Sequence, residues 1–100
     1  MISPVASTSL VSGLTAQSRI VETAATNIVN VASDDYQAER GALVSRPLQG
    51  AAYVPLPSEG AVDPAQEMVT MMVAKTSFET MARAYSTLAE TEKTALDSLT

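Results

Sequence analysis

Residues 27–40, "NIVNVASDDYQAER", divide the chain into two long apolar regions. Asn27 and Asn30 stand three apart near the end of a stretch with helical periodicity, although the Asn amide competes for backbone groups and is mildly unfavourable in a helix. The polar run at 33–35 predicts a turn. An aromatic residue and charges follow it, and 36–44 is predicted to be a short extended segment. The stretch therefore predicts a helix that stops and a different structure that begins at Tyr36.

The region before the break, residues 1–32, predicts one long helix. Ser3-Pro4 predicts an N-cap followed by proline at the first helical position. Apolar residues then recur with a seven-residue period, which predicts a packing seam over about three heptads. One row of this seam is Leu14, Val21 and Ile28, and the other is Leu10, Gln17, Ala24 and Val31.

The region after the break contains a second helix, in residues 63–100. Asp63-Pro64-Ala65-Gln66 combines an N-cap, a proline at the first helical position and a capping-box Gln. No Gly or Pro follows Pro64, so this helix can continue to about Leu99. Its predicted seam has one row of Met71, Phe78, Tyr85 and Leu99 and another of Met68, Ala82, Ala89 and Leu96. Lys75 and Glu92 interrupt the seam, and we expect their stems to lie along it with their charges in water.

Residues 33–62 hold three of the four Gly and three of the five Pro. Ala51–Leu56 predicts a second extended segment, but Pro55 and Pro57 restrict it to an edge strand or coil. The predicted fold is therefore mainly α: an antiparallel hairpin of long N- and C-terminal helices, with an irregular loop or short β-hairpin between them. If the helices fold back, we expect facing residue numbers to sum to about 99. That register pairs Val31 with Met68, Ile28 with Met71, Val21 with Phe78, and Leu14 with Tyr85.

Composition limits both the core and the chemistry. Of the 46 apolar residues 16 are Ala, and there is one Phe and no Trp, so a core made by this chain alone buries little area and favours stabilisation by partners. The net charge of −5 argues against nucleic-acid binding. The absence of Cys and His removes thiolate metal sites and the commonest general base. Asp34-Asp35 is expected to be a solvated turn, so we predict no catalytic, cofactor-binding or metal-binding residue, no enzyme activity and no small-molecule substrate.

Two blocks of the sequence resemble a known family. Residues 7–31, "STSLVSGLTAQSRIVETAATNIVNV", resemble the N-terminal signature of the bacterial flagellar rod and hook family, and residues 62–99 resemble its C-terminal block. The matching residues are Ser12-Gly13-Leu14, Ala16-Gln17 and Thr26–Asn30 in the first block, and Val62-Asp63, Glu67–Met71 and Phe78 in the second. Tyr36-Gln37-Ala38-Glu39-Arg40 is also similar to the Tyr-Lys-Ala-x-Arg segment of a short proximal rod protein. The sequence departs from the family at Thr26, where the first Asn of a pair is usual, and at Ser33-Asp34-Asp35, which replaces a Thr-x-Gly turn.

The resemblance implies a structural subunit of the flagellar basal-body rod that serves motility. Such subunits are helical hairpins of their two termini, stacked into a tube with copies of themselves and with other rod and hook subunits. They are exported by the flagellar type III apparatus without cleavage, and residues 1–15 carry no pattern of a cleaved signal peptide. The alternative from the residues alone is a small secreted helical hairpin that forms a discrete dimer.

Assembly and packing are assigned to both helices and to the start of the loop. One exposed Asn near a helix end needs no function, whereas in a packed tube such an amide could bond a neighbouring backbone. Tyr36 is expected to open an arm that contacts neighbouring subunits. The predicted assembly residues are Leu14, Val21, Asn27, Ile28, Asn30, Val31, Tyr36, Met68, Met71, Phe78 and Tyr85.

Overall fold

A computed structural model describes residues 4–99, with two helices joined through a β-hairpin. Helix α1 spans Pro4–Val29, strand β1 spans Arg40–Arg46, strand β2 spans Gly50–Leu56, and helix α2 spans Pro64–Ser98. The molecule is elongated, with extents of 64 × 24 × 14 Å. The mainly helical fold with a short β-hairpin between the helices is confirmed.

Helix α1 begins at Pro4, as expected for proline in a first helical turn. The predicted N-cap Ser3 lies outside the described residues. The helix ends at Val29, three residues before the predicted end at Ala32. The chain leaves the helix through a turn in which the Ser33 amide donates to the Asn30 carbonyl at 3.0 Å. Val31 therefore lies in this turn, 45% exposed, and is not part of a helical seam within the chain.

The turn that follows α1 contains an unusual backbone conformation. Asp35 has a φ of +60°, in the left-handed region that favours glycine. This is the position at which the resembling family pattern has Gly, and Asp is one of the few other residues that tolerates it. Asp35 therefore adopts a backbone conformation that glycine adopts readily.

The β-hairpin forms an arm that lies against α1, and we call residues 36–60 the arm. Its strands pair antiparallel, with Arg40 opposite Leu56 and Arg46 opposite Gly50. Gly50 has a φ of +85°, and a Cβ there would lie 2.8 Å from the Ser9 Cα atom. Only glycine fits this close approach, which places the tip of the arm beside the N-terminal half of α1.

Helix α2 begins as the sequence predicts. The Asp63 carboxylate accepts hydrogen bonds from the amides of Ala65 at 3.1 Å and Gln66 at 3.3 Å, and Pro64 occupies the first helical position. Glu67 adds a negative charge in the first turn, where it interacts favourably with the helix dipole.

The two helices pack antiparallel through small residues, in a different register from the predicted one. Asn27 contacts Glu67, and Gly13 lies against Met81, since a Cβ at Gly13 would be 2.8 Å from the Met81 sulfur. Both pairs have residue numbers that add to 94, not to about 99. These two contacts lie five residues, about 7.5 Å along the axis, from the predicted register, although Val21 and Phe78 of one predicted pair line the same cavity between the helices.

The register differs for two physical reasons. The arm connects the helices, so the connection between Val31 and Met68 does not act as a tight loop that fixes their offset. The inward row of α2 also lies one residue away from the predicted row that begins at Met68, which is 52% exposed. Half-buried and buried positions follow the row Glu67, Ala74, Met81, Leu88 and Ala95 instead.

The core is correspondingly small. Among the described residues, the buried apolar side chains are all alanines: Ala16, Ala24, Ala38 and Ala74. The largest fully buried side chain is Asn27, which is 1% exposed. A polar amide therefore occupies the place that a large apolar residue fills in most small domains.

Candidate functional site

The Asn27 side chain joins three parts of the fold. Its Nδ2 donates to the Glu39 carbonyl at 3.0 Å and to the Glu67 carboxylate at 3.1 Å. Its Oδ1 accepts from the Glu39 amide at 2.8 Å and from the Tyr36 hydroxyl at 3.0 Å. Asn27 lies on α1, Tyr36 and Glu39 on the arm, and Glu67 on α2. We call these four residues the Asn27 hub.

The chemistry of the hub explains the residue type. Glu39 presents both a backbone donor and a backbone acceptor, so one partner atom must accept and the other must donate. A carboxamide has both in one plane, and an Asp side chain in its ionised form would place an acceptor against the Glu39 carbonyl and the Glu67 carboxylate. All four bonds satisfy the amide, as burial requires. The backbone that Asn27 bonds belongs to its own chain, and the bond to a neighbouring subunit that the sequence analysis considered stays a prediction.

Tyr36 is half-buried, and its hydroxyl is near enough to the Glu39 and Glu67 carboxylates to interact with their charges. Burial raises the pKa of its hydroxyl above the usual 10.0, and the nearby charges of Glu39 and Glu67 raise it further. The Tyr36 hydroxyl donates its proton to the hydrogen bond with Asn27. The raised pKa keeps the hydroxyl protonated, so this hydrogen bond is maintained. The Tyr36 hydroxyl thus holds the start of the arm to α1 in this chain, while its predicted contact with neighbouring subunits stays a prediction.

The second asparagine has a local role. The Asn30 Nδ2 donates to the Thr26 carbonyl at 2.9 Å, one turn back along α1. The same carbonyl also accepts from the Asn30 backbone amide at 3.1 Å, so the side chain adds a second hydrogen bond to one oxygen in the last turn of α1. Asn27 and Asn30 are thus the same residue type three positions apart. Asn27 bonds the arm and α2, whereas Asn30 bonds a carbonyl of α1.

A second contact between arm and helix was not predicted from the sequence. The Tyr53 hydroxyl and the Thr23 Oγ1 are 2.9 Å apart, and the Arg19 guanidinium lies 5.3 Å from the centre of the Tyr53 ring. The ring lies across Gly41 on the neighbouring strand, where any Cβ would collide with it. The sequence offered two signals for this contact: Gly41 in one predicted extended segment and Tyr53 in the other.

The large residues of the predicted seams lie beside the helix interface rather than in it. Leu14, Val21, Ile28 and Met71 are half-buried, while Phe78 is 39% exposed and Tyr85 is 41% exposed. Ser18, Val21, Met71, Lys75 and Phe78 line an open, mostly apolar groove of about 280 Å³ between the helices. Because small residues bring the helices together, Val21, Met71 and Phe78 line a groove that stays open to solvent.

The outer face of α2 carries a second apolar surface near its N-terminus. Val69, Met72 and Val73 are 58%, 64% and 60% exposed. Met72 lies about 160° around the helix from the buried Ala74, so it points away from α1. We call these three residues the ridge. We call the cavity lined by Val21 and Phe78 the groove.

The described part of the chain offers little for other chemistry. Across residues 4–99, no cluster of carboxylates has the arrangement of a metal site, and no helix is long and apolar enough to cross a membrane. The ion pairs Arg40–Glu59, Lys75–Glu79 and Lys93–Asp97 are all solvent-exposed and contribute little to stability. The candidate site is therefore the pair of apolar surfaces, held in position by the hub.

Comparison with known proteins bears on the second helix. Residues 60–98 match the family model described as flagellar basal body rod FlgEFG protein C-terminal. The match supports the flagellar basal-body rod family. It covers α2 and its N-cap, less than half of the chain, and no curated protein matches the sequence.

The match points to a structural subunit of the rod or hook type. That family is structural and not enzymatic, it belongs to the flagellar basal body, and it assembles with other rod and hook subunits. The matched range begins at Gly60, so the N-terminal resemblance and the Tyr36–Arg40 segment stay predictions.

Proposed function

We propose that this chain is a structural subunit of the proximal rod of the bacterial flagellum, which assembles through its terminal helices. The match of residues 60–98 to the rod family carries the proposal. Two features of the fold agree with it. The core consists of alanines, and large apolar side chains of both helices stay exposed, as expected for a subunit whose packing is completed by neighbours.

The assignment to the proximal rod rests on the arm. Tyr36–Arg40 is similar to the Tyr-Lys-Ala-x-Arg segment of a short proximal rod protein, and three of its residues have defined roles in this chain. Tyr36 donates to Asn27, the Glu39 backbone bonds the same amide, and Arg40 pairs with Glu59 at 3.0 Å. The segment and the Asn run therefore act as one unit, which supports their joint use as a signature.

The proposed partners are copies of this chain, other rod and hook subunits, and the flagellar type III export apparatus. The proposed location is the basal-body rod that spans the periplasm. The predicted assembly residues Leu14, Val21, Ile28, Met68, Met71, Phe78 and Tyr85 would contact neighbours rather than one another.

Purified basal bodies from the producing organism test the proposal. The protein should copurify with the rod and be lost from that fraction when the export apparatus is inactivated, and its deletion should abolish motility. An otherwise intact strain whose basal bodies lack the protein, with a discrete dimer in the medium, would favour a small secreted hairpin instead.

A further inference from the structure

The ridge and the groove differ in shape and face different directions. Met72 on the ridge and Phe78 in the groove lie about 120° apart around α2. The ridge is convex and apolar, whereas the groove is a concavity lined by residues of the two helices alone. Both are near the N-terminal half of α2, so they stand at about the same level along the molecule.

We propose that the ridge of one copy of this chain docks into the groove of the next copy. This proposal rests on the self-assembly in the proposed function and specifies which surfaces meet. Because the two surfaces face directions about 120° apart, we expect one neighbour to occupy the groove and a different neighbour to accept the ridge. The contact is then heterologous, and such contacts form rings or open helical series rather than two-fold dimers.

The volume of the groove fits the side chains of the ridge. An apolar cavity of about 150 Å³ is large enough for one benzene-sized group. A groove of about 280 Å³ can therefore accept roughly two such groups, for example the Met72 side chain and one neighbouring valine. Lys75 at the groove has a side chain that is 75% exposed, so its ammonium can stay in water at the edge of the contact.

The exposed area of the chain also agrees with one such contact per copy. A compact monomer of 10.5 kDa exposes about 5,400 Å² by the usual scaling, whereas this chain exposes 6898 Å². The difference of about 1,500 Å² lies within the range that stable protein interfaces bury in total. In a head-to-tail series each copy buries its ridge against one neighbour and its groove against another. The solvent-accessible area lost per copy therefore equals the total area of one interface.

Cysteine crosslinking between different chains tests the contact, because the sequence has no Cys. Full-length Met72→Cys and Val21→Cys chains are purified separately, mixed at high micromolar concentration and treated with a short bismaleimide. We expect crosslinked pairs from the mixture, little product from either chain alone, and a ladder of oligomers from the double variant. Thr87→Cys lies on the outer face of α2 far from the ridge, and its mixture with Val21→Cys should stay uncrosslinked.

A second measurement separates docking from folding. Met72→Asp should weaken self-association about a hundredfold, because the docked carboxylate would lose its water in a mostly apolar groove whose one charged lining residue, Lys75, already pairs with Glu79. Its helix content should stay unchanged, since Met72 is 64% exposed in the single chain. Thr87→Asp is the matched control and should associate normally.

Other outcomes would overturn the proposal. Met72→Cys chains that crosslink mainly with themselves would show a two-fold contact, and a mixture that stays monomeric would show that the groove takes no second copy. Either result leaves the proposed function standing if the unmodified protein is present in purified basal bodies.

Discussion

Replacing Asn27 with alanine should be the most damaging single change of a polar residue in this chain. The side chain is 1% exposed and makes four hydrogen bonds, one of them to a carboxylate. A neutral hydrogen bond contributes about 1 kcal/mol net and one to a charged group about 1.5–3, so the gross loss is roughly 4–6 kcal/mol.

Two effects reduce this loss. Alanine is a better helix former than asparagine by up to about 0.7 kcal/mol. The Glu67 carboxylate and the Tyr36 hydroxyl are only half-buried, so water can replace part of what they lose. We therefore expect Asn27→Ala to lower the free energy of unfolding by about 2–4 kcal/mol.

Asn30→Ala is the matched control. It removes one bond to a carbonyl of its own helix, so we expect a loss of about 1 kcal/mol or less. The assay is urea unfolding followed by far-UV circular dichroism, with trimethylamine N-oxide in all samples to strengthen a weakly stable fold. If Asn27→Ala and Asn30→Ala unfold at the same urea concentration, the hub does not stabilise the fold and the reasoning is wrong.

Charge in the hub gives a sharper version of this test. Asn27→Asp keeps the shape but places a carboxylate beside the Glu39 carbonyl and the Glu67 carboxylate, so it should destabilise at least as much as alanine at neutral pH. Adding Glu67→Gln supplies a donor and should recover part of the loss. Lack of recovery in the double variant would argue against direct contact between these two side chains.

Three further predictions concern the arm and the seams. Stability should fall as pH rises above 10, because the pKa of Tyr36 is raised in the folded state and its proton is needed for the bond to Asn27; in urea titrations Tyr36→Phe should show a smaller fall. Gly41→Ala should detach the arm by displacing the Tyr53 ring, seen as faster hydrogen exchange of arm amides without loss of helix, and unchanged exchange would contradict the packing. Leu14→Asp should abolish assembly in cells while Arg46→Ala, on an exposed arm residue, should not; the reverse result would remove α1 from the assembly surface.

Local signals in the sequence determined where the elements lie. Asp63 and Pro64 fix the start of α2 because an N-cap carboxylate and a proline act on the adjacent turn, and the structure shows both in those roles. The polar run before Tyr36 ended α1 within three residues of the predicted position. Glycine and proline content placed the β-hairpin between the helices. Each of these effects involves residues within a few positions of one another, which a sequence records directly.

Only the tertiary structure decided what the residues at these ends contact. Asn27 and Asn30 are indistinguishable by type and spacing, yet the partners of Asn27 lie 9, 12 and 40 residues away, and no local pattern reports them. Heptad spacing identified the large apolar side chains but not their position, because the small Gly13 permits a close approach that leaves them beside the interface. The register then follows from that approach and from the bond between Asn27 and Glu67, both of which depend on the whole fold.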